Sequence, residues 1–345
     1  MEEKSHWTNT YDSHGLIERY QKYFSPGSGI KMISYTDHEG RLYRVLPVYL
    51  QNIFNPWVMG GGVLFRRGTY VLREFLTIPF VVSLPINIFN RKRLVLVLVH
   101  NVQMAHKKRL HRYALRVLLK SGFRFISLES DSGVREIGFH SAGDNKVFAL
   151  PLPMGGCLDY SKCGFRKHTS KVFKVGVVGN NRKEKDISRV IFAISDIAER
   201  AGHIELVVGT SDEVLASKWA SRGVNVVNTS SRDNYLKCLS ELDILVVNYR
   251  AVDYYYRTSG VILDAISCGT LVVFPNYPVF HKQVCVPARF GAPFSDLSDL
   301  EAAINECISF ASDKESAYAM HKKYRGRDGI KGCVQRLERA LLSNI

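Results

Sequence analysis

The sequence predicts an α/β protein with two doubly wound parallel sheets in series, and three observations carry that expectation. The length of 345 residues suits two domains at about 100 to 200 residues each. Short runs rich in Val, Ile and Leu recur along the chain, such as Leu94–Val99 (LVLVLV) and Phe173–Val178 (FKVGVV), as strands buried on both faces of a parallel sheet do. Segments of helical periodicity separate those runs. Composition agrees: 46% hydrophobic and 23% charged residues, with 26 Gly and 11 Pro, exclude a disordered chain, a collagen and a small disulfide scaffold.

Residues 1–42 are polar and read as an N-terminal extension with one possible strand at Ile30–Tyr35. Residues 43–155 form a first Rossmann-like domain, with strands expected at Arg44–Tyr49, Leu94–Val99, Phe123–Ser127 and Val147–Leu150. A helix from about His106 to Ser121 precedes the third of these, because Leu110, Tyr113, Ala114, Val117 and Leu118 share one helical face. Across residues 156–170 the apolar pattern lapses into Gly, Ser, Lys and Cys, as in an inter-domain linker. Residues 171–312 form the second domain. Its strands at Phe173–Val178, Ile204–Val208, Val224–Val227, Ile244–Val247 and Leu271–Phe274 alternate with helices at Asp186–Arg200, Asp212–Ser221, Asp233–Glu241 and Ser259–Ser267. Helices at 297–311 and 313–342 follow, and residues 313–345 close the chain as C-terminal helices. Sheets of this kind bind ligands in the loops beyond the carboxyl ends of their strands, so chemistry is expected there.

The chain carries 47 Lys+Arg against 32 Asp+Glu, a net charge of +15. Residues 1–170 hold 24 basic and 12 acidic residues, net +12, and the remainder holds 23 and 20, net +3. Such a field suits an anionic partner: nucleic acid, an anionic membrane face or a phosphorylated substrate. The start, MEEKSHWTNTYDSHG, lacks the basic region and apolar core of a signal peptide. The most apolar stretch, Phe75–Phe89, has 15 residues and two prolines, whereas a membrane-spanning helix needs about 20. Seven cysteines without a C-x-x-C pair indicate neither a disulfide framework nor a zinc site. A cytoplasmic protein with reduced thiols is expected.

Two segments carry candidate chemistry. In Asp243–Phe274, Thr258, Ser259 and Gly260 open a helix whose first turn has small side chains, so backbone N–H groups and the helix dipole could hold a phosphate. Arg257 precedes that turn, and Asp264, farther along the helix, could accept from ribose hydroxyls. An ordinary Ser or Thr N-cap on a core helix fits the same residues. In Val175–Asp186, a buried strand ends at Gly179, and Asn181, Arg182 and Lys185 follow on the loop. Both cations can reach a diphosphate and neutralise charge on a departing one. A solvated Lys/Glu loop is the plainer reading. Neither a Walker A motif nor G-x-G-x-x-G occurs.

Together these segments resemble the C-terminal domain of GT-B glycosyltransferases, specifically the retaining sugar-nucleotide transferases of bacterial surface polysaccharides, the family 4-like group. The resemblance covers about residues 43–342. It rests on the run from Arg257 to Gly260, on Asp264-Ala265 and on Gly269 to Val273. On the N-terminal side Asn55-Pro56-Trp57 with Gly68, Val99-His100-Asn101 followed by His106, and Ser127–Val134 are similar to the family's turns after strands. The family's Glu-x7-Glu pair is reduced to Asp264, with Tyr256 eight residues earlier, and its R-x-x-K-G stands as Arg182-Lys183-Glu184-Lys185-Asp186.

The resemblance implies two Rossmann-like domains facing across a cleft, and transfer of a sugar from a nucleoside diphosphate to a glycan or lipid-linked glycan with retention. It gives Arg182 and Lys185 to the diphosphate, with Asn181, Arg257, Thr258, Ser259 and Gly260 beside them, and Asp264 to the ribose. His100 falls to the reaction side, and Asn55 and His106 to the sugar or acceptor. No Asp-x-Asp occurs, so no metal cofactor is required by the sequence; the cations would do that electrostatic work. The segment from Lys107 to Arg124 has seven basic residues and no acid, as does a helix lying on the cytoplasmic face of an anionic inner membrane, and equally the solvated outer face of a core helix. A basic nucleic-acid-binding protein and a catalytically degenerate glycosyltransferase-like scaffold remain the alternatives.

Overall fold

A computed structural model describes residues 20, 23–33, 56, 68–72, 75–138, 146–154, 172–180, 182, 184–311 and 313–342. The expected strand at 44–49, the triple glycine at 60–62, Asn55, Trp57, Asn181 and the linker at 156–170 lie outside them. The chain divides into two compact units, Met1–Pro153 with Gly329–Ile345, and Met154–Asp328.

The first unit holds a parallel sheet of β1 (Ile30–Ile33), β2 (Thr69–Leu72), β3 (Leu94–Leu98), β4 (Arg124–Leu128) and β5 (Val147–Leu150), paired in that order. Ile30–Ile33 thus belongs to the sheet and not to a loose extension. The central strands are buried at every position, and β3 accordingly reads as an unbroken apolar run, while β4 also buries Arg124 and Ser127. Between β2 and β3 stand α1 (Thr77–Val82) and α2 (Leu84–Asn87); between β3 and β4 stand α3 (Asn101–Lys107) and α4 (Arg109–Lys120). The single helix expected from His106 is therefore two helices, broken at Lys108, whose backbone is extended. Arg112 supplies the reason: its guanidinium donates to the carbonyls of Ala105 and His106, the last turn of α3, and so caps that helix. A short α5 (Ser132–Glu136) follows β4.

The second unit holds β6 (Phe173–Val178), β7 (Ile204–Thr210), β8 (Asn225–Asn228), β9 (Ile244–Val246), β10 (Leu271–Pro275) and β11 (Gly291–Phe294). They form a parallel sheet in the order β11-β10-β9-β6-β7-β8. The chain starts at β6, winds outward to β8, then returns to β9 on the other side, so the winding reverses between β6 and β9. The helices in chain order are α6 (Ile187–Ala201), α7 (Glu213–Ala220), α8 (Arg232–Glu241), α9 (Ala251–Tyr254), α10 (Gly260–Ser267), α11 (Pro278–Cys285), α12 (Leu300–Phe310) and α13 (Lys314–Arg325). Helix α6 shows how the sequence specifies them: Ile187, Val190, Ile191, Ile194 and Ile197 form one buried stripe. It stops at Gly202, whose φ of 64° suits glycine.

The closing helices expected over 313–342 part at Gly326, where a β-carbon would lie 2.2 Å from the carbonyl oxygen of Lys322. Helix α13 stays with the second unit, and α14 (Arg327–Leu342) returns to the first. There Arg124 donates to the carbonyl of Leu341 at 2.6 Å and to that of Lys92, and Glu338 accepts from the Ser25 hydroxyl.

His321 of α13 is fully buried with its ring 5.8 Å from that of Phe290. Burial, with the Arg325 charge beside it, pushes its pKa from 6.5 down to about 3. The folded state therefore holds this ring neutral while the unfolded chain takes up a proton below pH 6.5. The stability it permits is complete above that pH and falls as pH drops toward 3, by up to about 1.4 kcal/mol per unit. Unfolding free energies from urea titrations at pH 7 and pH 5 should differ by about 2 kcal/mol more in the wild type than in His321→Leu.

Candidate functional site

The reversal of winding between β6 and β9 leaves their carboxyl ends side by side, the place where open α/β sheets take ligands. Gly179 ends β6 with a φ of 134°, and a β-carbon there would lie 3.2 Å from the Lys185 ammonium, so glycine leaves room for that group. Lys185 is buried and lies over the Tyr249 ring at 5.3 Å. Its backbone bridges both to Arg182 and to Tyr249, and Arg250 N–H donates to the Glu184 carbonyl at 3.0 Å. The loop after β6 and the loop after β9 are thus joined strand-like through Lys185.

Tyr249 organises the other loop. Its hydroxyl lies 3.0 Å from that of Ser259, its carbonyl accepts from Tyr277, and its ring stacks on Tyr254 at 4.1 Å. Burial raises its pKa, while the hydrogen bond with Ser259 and the charges of Arg257 and Arg182 pull the other way. Arg257 also lies over the Tyr254 ring at 4.7 Å. Lys185 thus lies over Tyr249, Arg257 over the ring stacked on it, and Arg182 is bridged to Lys185 through the backbone.

Helix α10 starts beside them. Ser259 is its N-cap residue but makes no side-chain cap, because its hydroxyl turns to Tyr249. This sets aside the ordinary-cap reading. The fully buried Gln283 of α11 accepts from Ser259 N–H at 3.0 Å and donates to its carbonyl at 3.2 Å. The phosphate role expected of the Ser259 N–H is thereby corrected: Gln283 already takes it. The N–H groups of Gly260, Val261 and Ile262 have no carbonyl one turn back within the helix, and they are the donors this end can offer. Thr258 is half-buried just ahead of them.

Asp264 is buried, and it is not an open acceptor. Arg232 donates to its two oxygens at 2.9 and 3.0 Å, and Tyr235 adds a bond at 3.3 Å to Oδ2. The carboxylate raises the Arg232 pKa above its ordinary value. Of about four acceptor positions on a carboxylate, one on Oδ1 is left. Tyr256, half-buried, packs edge-on against Tyr255 at 4.7 Å.

In the first unit, His100 is half-buried at the carboxyl end of β3 and opens α3, where its carbonyl accepts from Met104. Asn101 beside it is buried, donating to the Phe75 carbonyl and the Thr77 hydroxyl. His106 lies 3.0 Å, through Nε2, from the Gly133 carbonyl of α5, a contact that ties two helices. Asn55 and Asn181 lie outside the described residues. Sequence reasoning missed Tyr249, Gln283, Arg232 and Tyr235. Gln283 had a visible signal, a polar residue on the stripe of Val279, Phe280 and Val284; the others had none.

No protein-family model matches the chain, and no curated protein matches it by sequence. Solved structures do match. A GtfA/B complex superposes with a TM-score of 0.60 at 9% identity over 83% of this chain and 60% of that one. The α,α-trehalose 6-phosphate synthase of Burkholderia multivorans matches at 0.60 and 11% identity, over 86% and 76%. The pneumococcal O-GlcNAc transferase GtfA, solved with UDP and GlcNAc, matches at 0.55 and 10%, over 84% and 60%. The fold is that of the GT-B glycosyltransferases. The chain spans about 60% of the length of the chains it matches in the GtfA/B complex and in pneumococcal GtfA. Among the described residues no His, Cys, Asp and Glu group could hold a metal ion, and no helix is long and apolar enough to cross a membrane.

Replacing Gln283 with Leu strands both main-chain groups of Ser259 in the interior. Denaturant unfolding should show a loss of about 1–3 kcal/mol, against a near-neutral effect of an exposed substitution such as Lys282→Ala.

Proposed function

We propose that the chain is a glycosyltransferase that moves a sugar from a nucleoside-diphosphate sugar to a glycan or lipid-linked glycan, with retention, in the building of a cell-surface polysaccharide. The observation that carries this reading is the joining of the β6 and β9 loops at the switch point. Three cations and an uncapped helix start meet there around Tyr249. Arg182, Lys185 and Arg257 bind the diphosphate together with the N–H groups of Gly260, Val261 and Ile262. The last acceptor position of Asp264 takes one ribose hydroxyl. Tyr256, in the position of the family's sugar-contacting carboxylate, offers a ring face and a hydroxyl in place of a charge, so the sugar is held without an anion there.

In the transfer, the bond from the sugar's anomeric carbon to the diphosphate oxygen breaks and its electron pair leaves with the diphosphate. The acceptor hydroxyl adds to that carbon from the same face and passes its proton to the departing oxygen. No protein nucleophile is used, and the clustered cations stabilise the leaving charge. No bound metal is needed in this reading. The fold likeness to transferases solved with UDP makes UDP the first diphosphate to try.

UDP at a hundredfold its Kd should stabilise the wild type by about 2.7 kcal/mol, read as a rise in Tm. Arg182→Ala and Lys185→Met should remove that rise and most of the transfer while each variant still unfolds cooperatively, and transfer by the wild type should persist in EDTA. Unchanged turnover in both variants sinks the phosphate assignment; a chain that binds no nucleoside diphosphate is a scaffold.

A further inference from the structure

The first unit carries a surface that the transfer chemistry does not use. From Phe75 to Leu128, a run of 54 residues, the chain has ten Lys and Arg and not one Asp or Glu. This run builds α1, α2, β3, α3, α4 and β4. The same run holds large apolar side chains that lie out in solvent: Leu76, Val82, Phe89, Leu110 and Tyr113, with Phe89 exposed to 74%, Tyr113 to 69% and Leu110 to 64%. The core does not need them. Helix α4 buries a separate stripe of Ala114, Leu115, Leu118 and Leu119, so Leu110 and Tyr113 share its outer face with Arg109 and Lys120.

These residues belong to one layer. The steps from β2 to β3 and from β3 to β4 run in the same direction across the sheet. Right-handed crossovers then place α1, α2, α3 and α4 on the same face, and α1 packs directly on α4. Arg91, two residues past Phe89, has its side chain beside Gly122, at the carboxyl end of α4. Exposed Arg91, Lys92 and Lys120 therefore gather at one end of the layer, near Phe89, and Lys108 and Arg109 stand at the other, near Leu110.

We infer that this face seats on an anionic phospholipid bilayer, with Phe89, Leu110 and Tyr113 entering the headgroup boundary and the lysines and arginines meeting lipid phosphate. A duplex or single-stranded phosphate backbone would satisfy the cations but has no use for exposed Phe, Leu and Val, whereas a bilayer takes both sets at once. The bare basic-helix expectation is thereby altered. The buried apolar stripe of α4 faces the protein core, and the membrane-facing apolar groups are the exposed ones at α1, at the 3-10 turn Ile88–Asn90 that follows α2, and on α4.

The test is sedimentation of the full chain with phosphatidylcholine vesicles, with and without 30 mol% phosphatidylglycerol as probe (about a third of the lipid, to give a surface potential). It reads binding without any transfer assay, so its failure and that of the transferase reading are distinguishable. The wild type should sediment with the anionic vesicles only, less so as salt rises. Lys108→Glu/Arg109→Glu/Lys120→Glu should weaken this by about tenfold or more. Phe89→Ser/Leu110→Ser should weaken it too while keeping its salt dependence, and all substituted positions are solvent-exposed, so both variants should keep the wild-type Tm. Failure to bind anionic vesicles overturns the inference, as does undiminished binding in both variants. Tighter binding to RNA than to vesicles, unmoved by the Phe89→Ser/Leu110→Ser change, overturns it in favour of nucleic acid.

Discussion

An ammonium group taken out of water costs several kcal/mol unless the protein replaces its hydration, and Lys185 is buried where the winding of the second sheet reverses. The Tyr249 ring beneath it returns part of that cost, about 1–2 kcal/mol for a desolvated pair. Gly179 leaves the space, and backbone bridges on both sides fix the residue between two loops. The rest of the candidate site follows. Once Tyr249 is held under Lys185, its hydroxyl draws the Ser259 side chain away from capping α10, and Gln283 must then satisfy the Ser259 main chain from α11. The helix start is left with N–H donors pointing forward and three cations around it.

The two units differ in a way that explains why this site lies in the second. There the order β11-β10-β9-β6-β7-β8 has a reversal between β6 and β9, the kind of switch point at which open α/β sheets take ligands. The described strands of the first unit run in sequence order and show no such reversal. What that unit displays is a one-sided helical layer, cationic and partly apolar on its outside. The charge divides accordingly: a few cations stand at the switch point, and exposed Arg91, Lys92, Lys108, Arg109 and Lys120 lie on the α1–α4 face.

Much of the sheet was legible because its inner strands are buried on both faces, as Leu94–Leu98 is at every position. Val147–Leu150 and Phe173–Val178, only partly buried, still begin and end where the sequence places them. Where a strand lacks an apolar run the signal fails, as in β11, which is Gly-Ala-Pro-Phe; β2 (TYVL) is fully buried, but its apolar run is only Tyr70–Leu72, between Arg66-Arg67-Gly68 and Arg73-Glu74. Helix α11 was missed for a related reason, since Pro278 at its start reads as a break although proline suits a first turn. Helix joints at Lys108 and Gly326 depend on a guanidinium from the next helix and on crowding by a carbonyl, neither of which periodicity can register. At the site, cations and small residues near strand ends were readable from spacing. That Asp264 is held by Arg232 and Tyr235, and that the Ser259 N–H is already occupied, are long-range pairings that no local pattern encodes.

The central claim is that the β6 and β9 loops, joined through Lys185 and Tyr249, form a diphosphate site at the start of α10. A crystal structure with UDP tests it most directly. The account predicts phosphate oxygens within about 3 Å of the N–H groups of Gly260 or Val261 and of a cation among Arg182, Lys185 and Arg257. A diphosphate bound elsewhere, with these N–H groups and cations untouched, would contradict it.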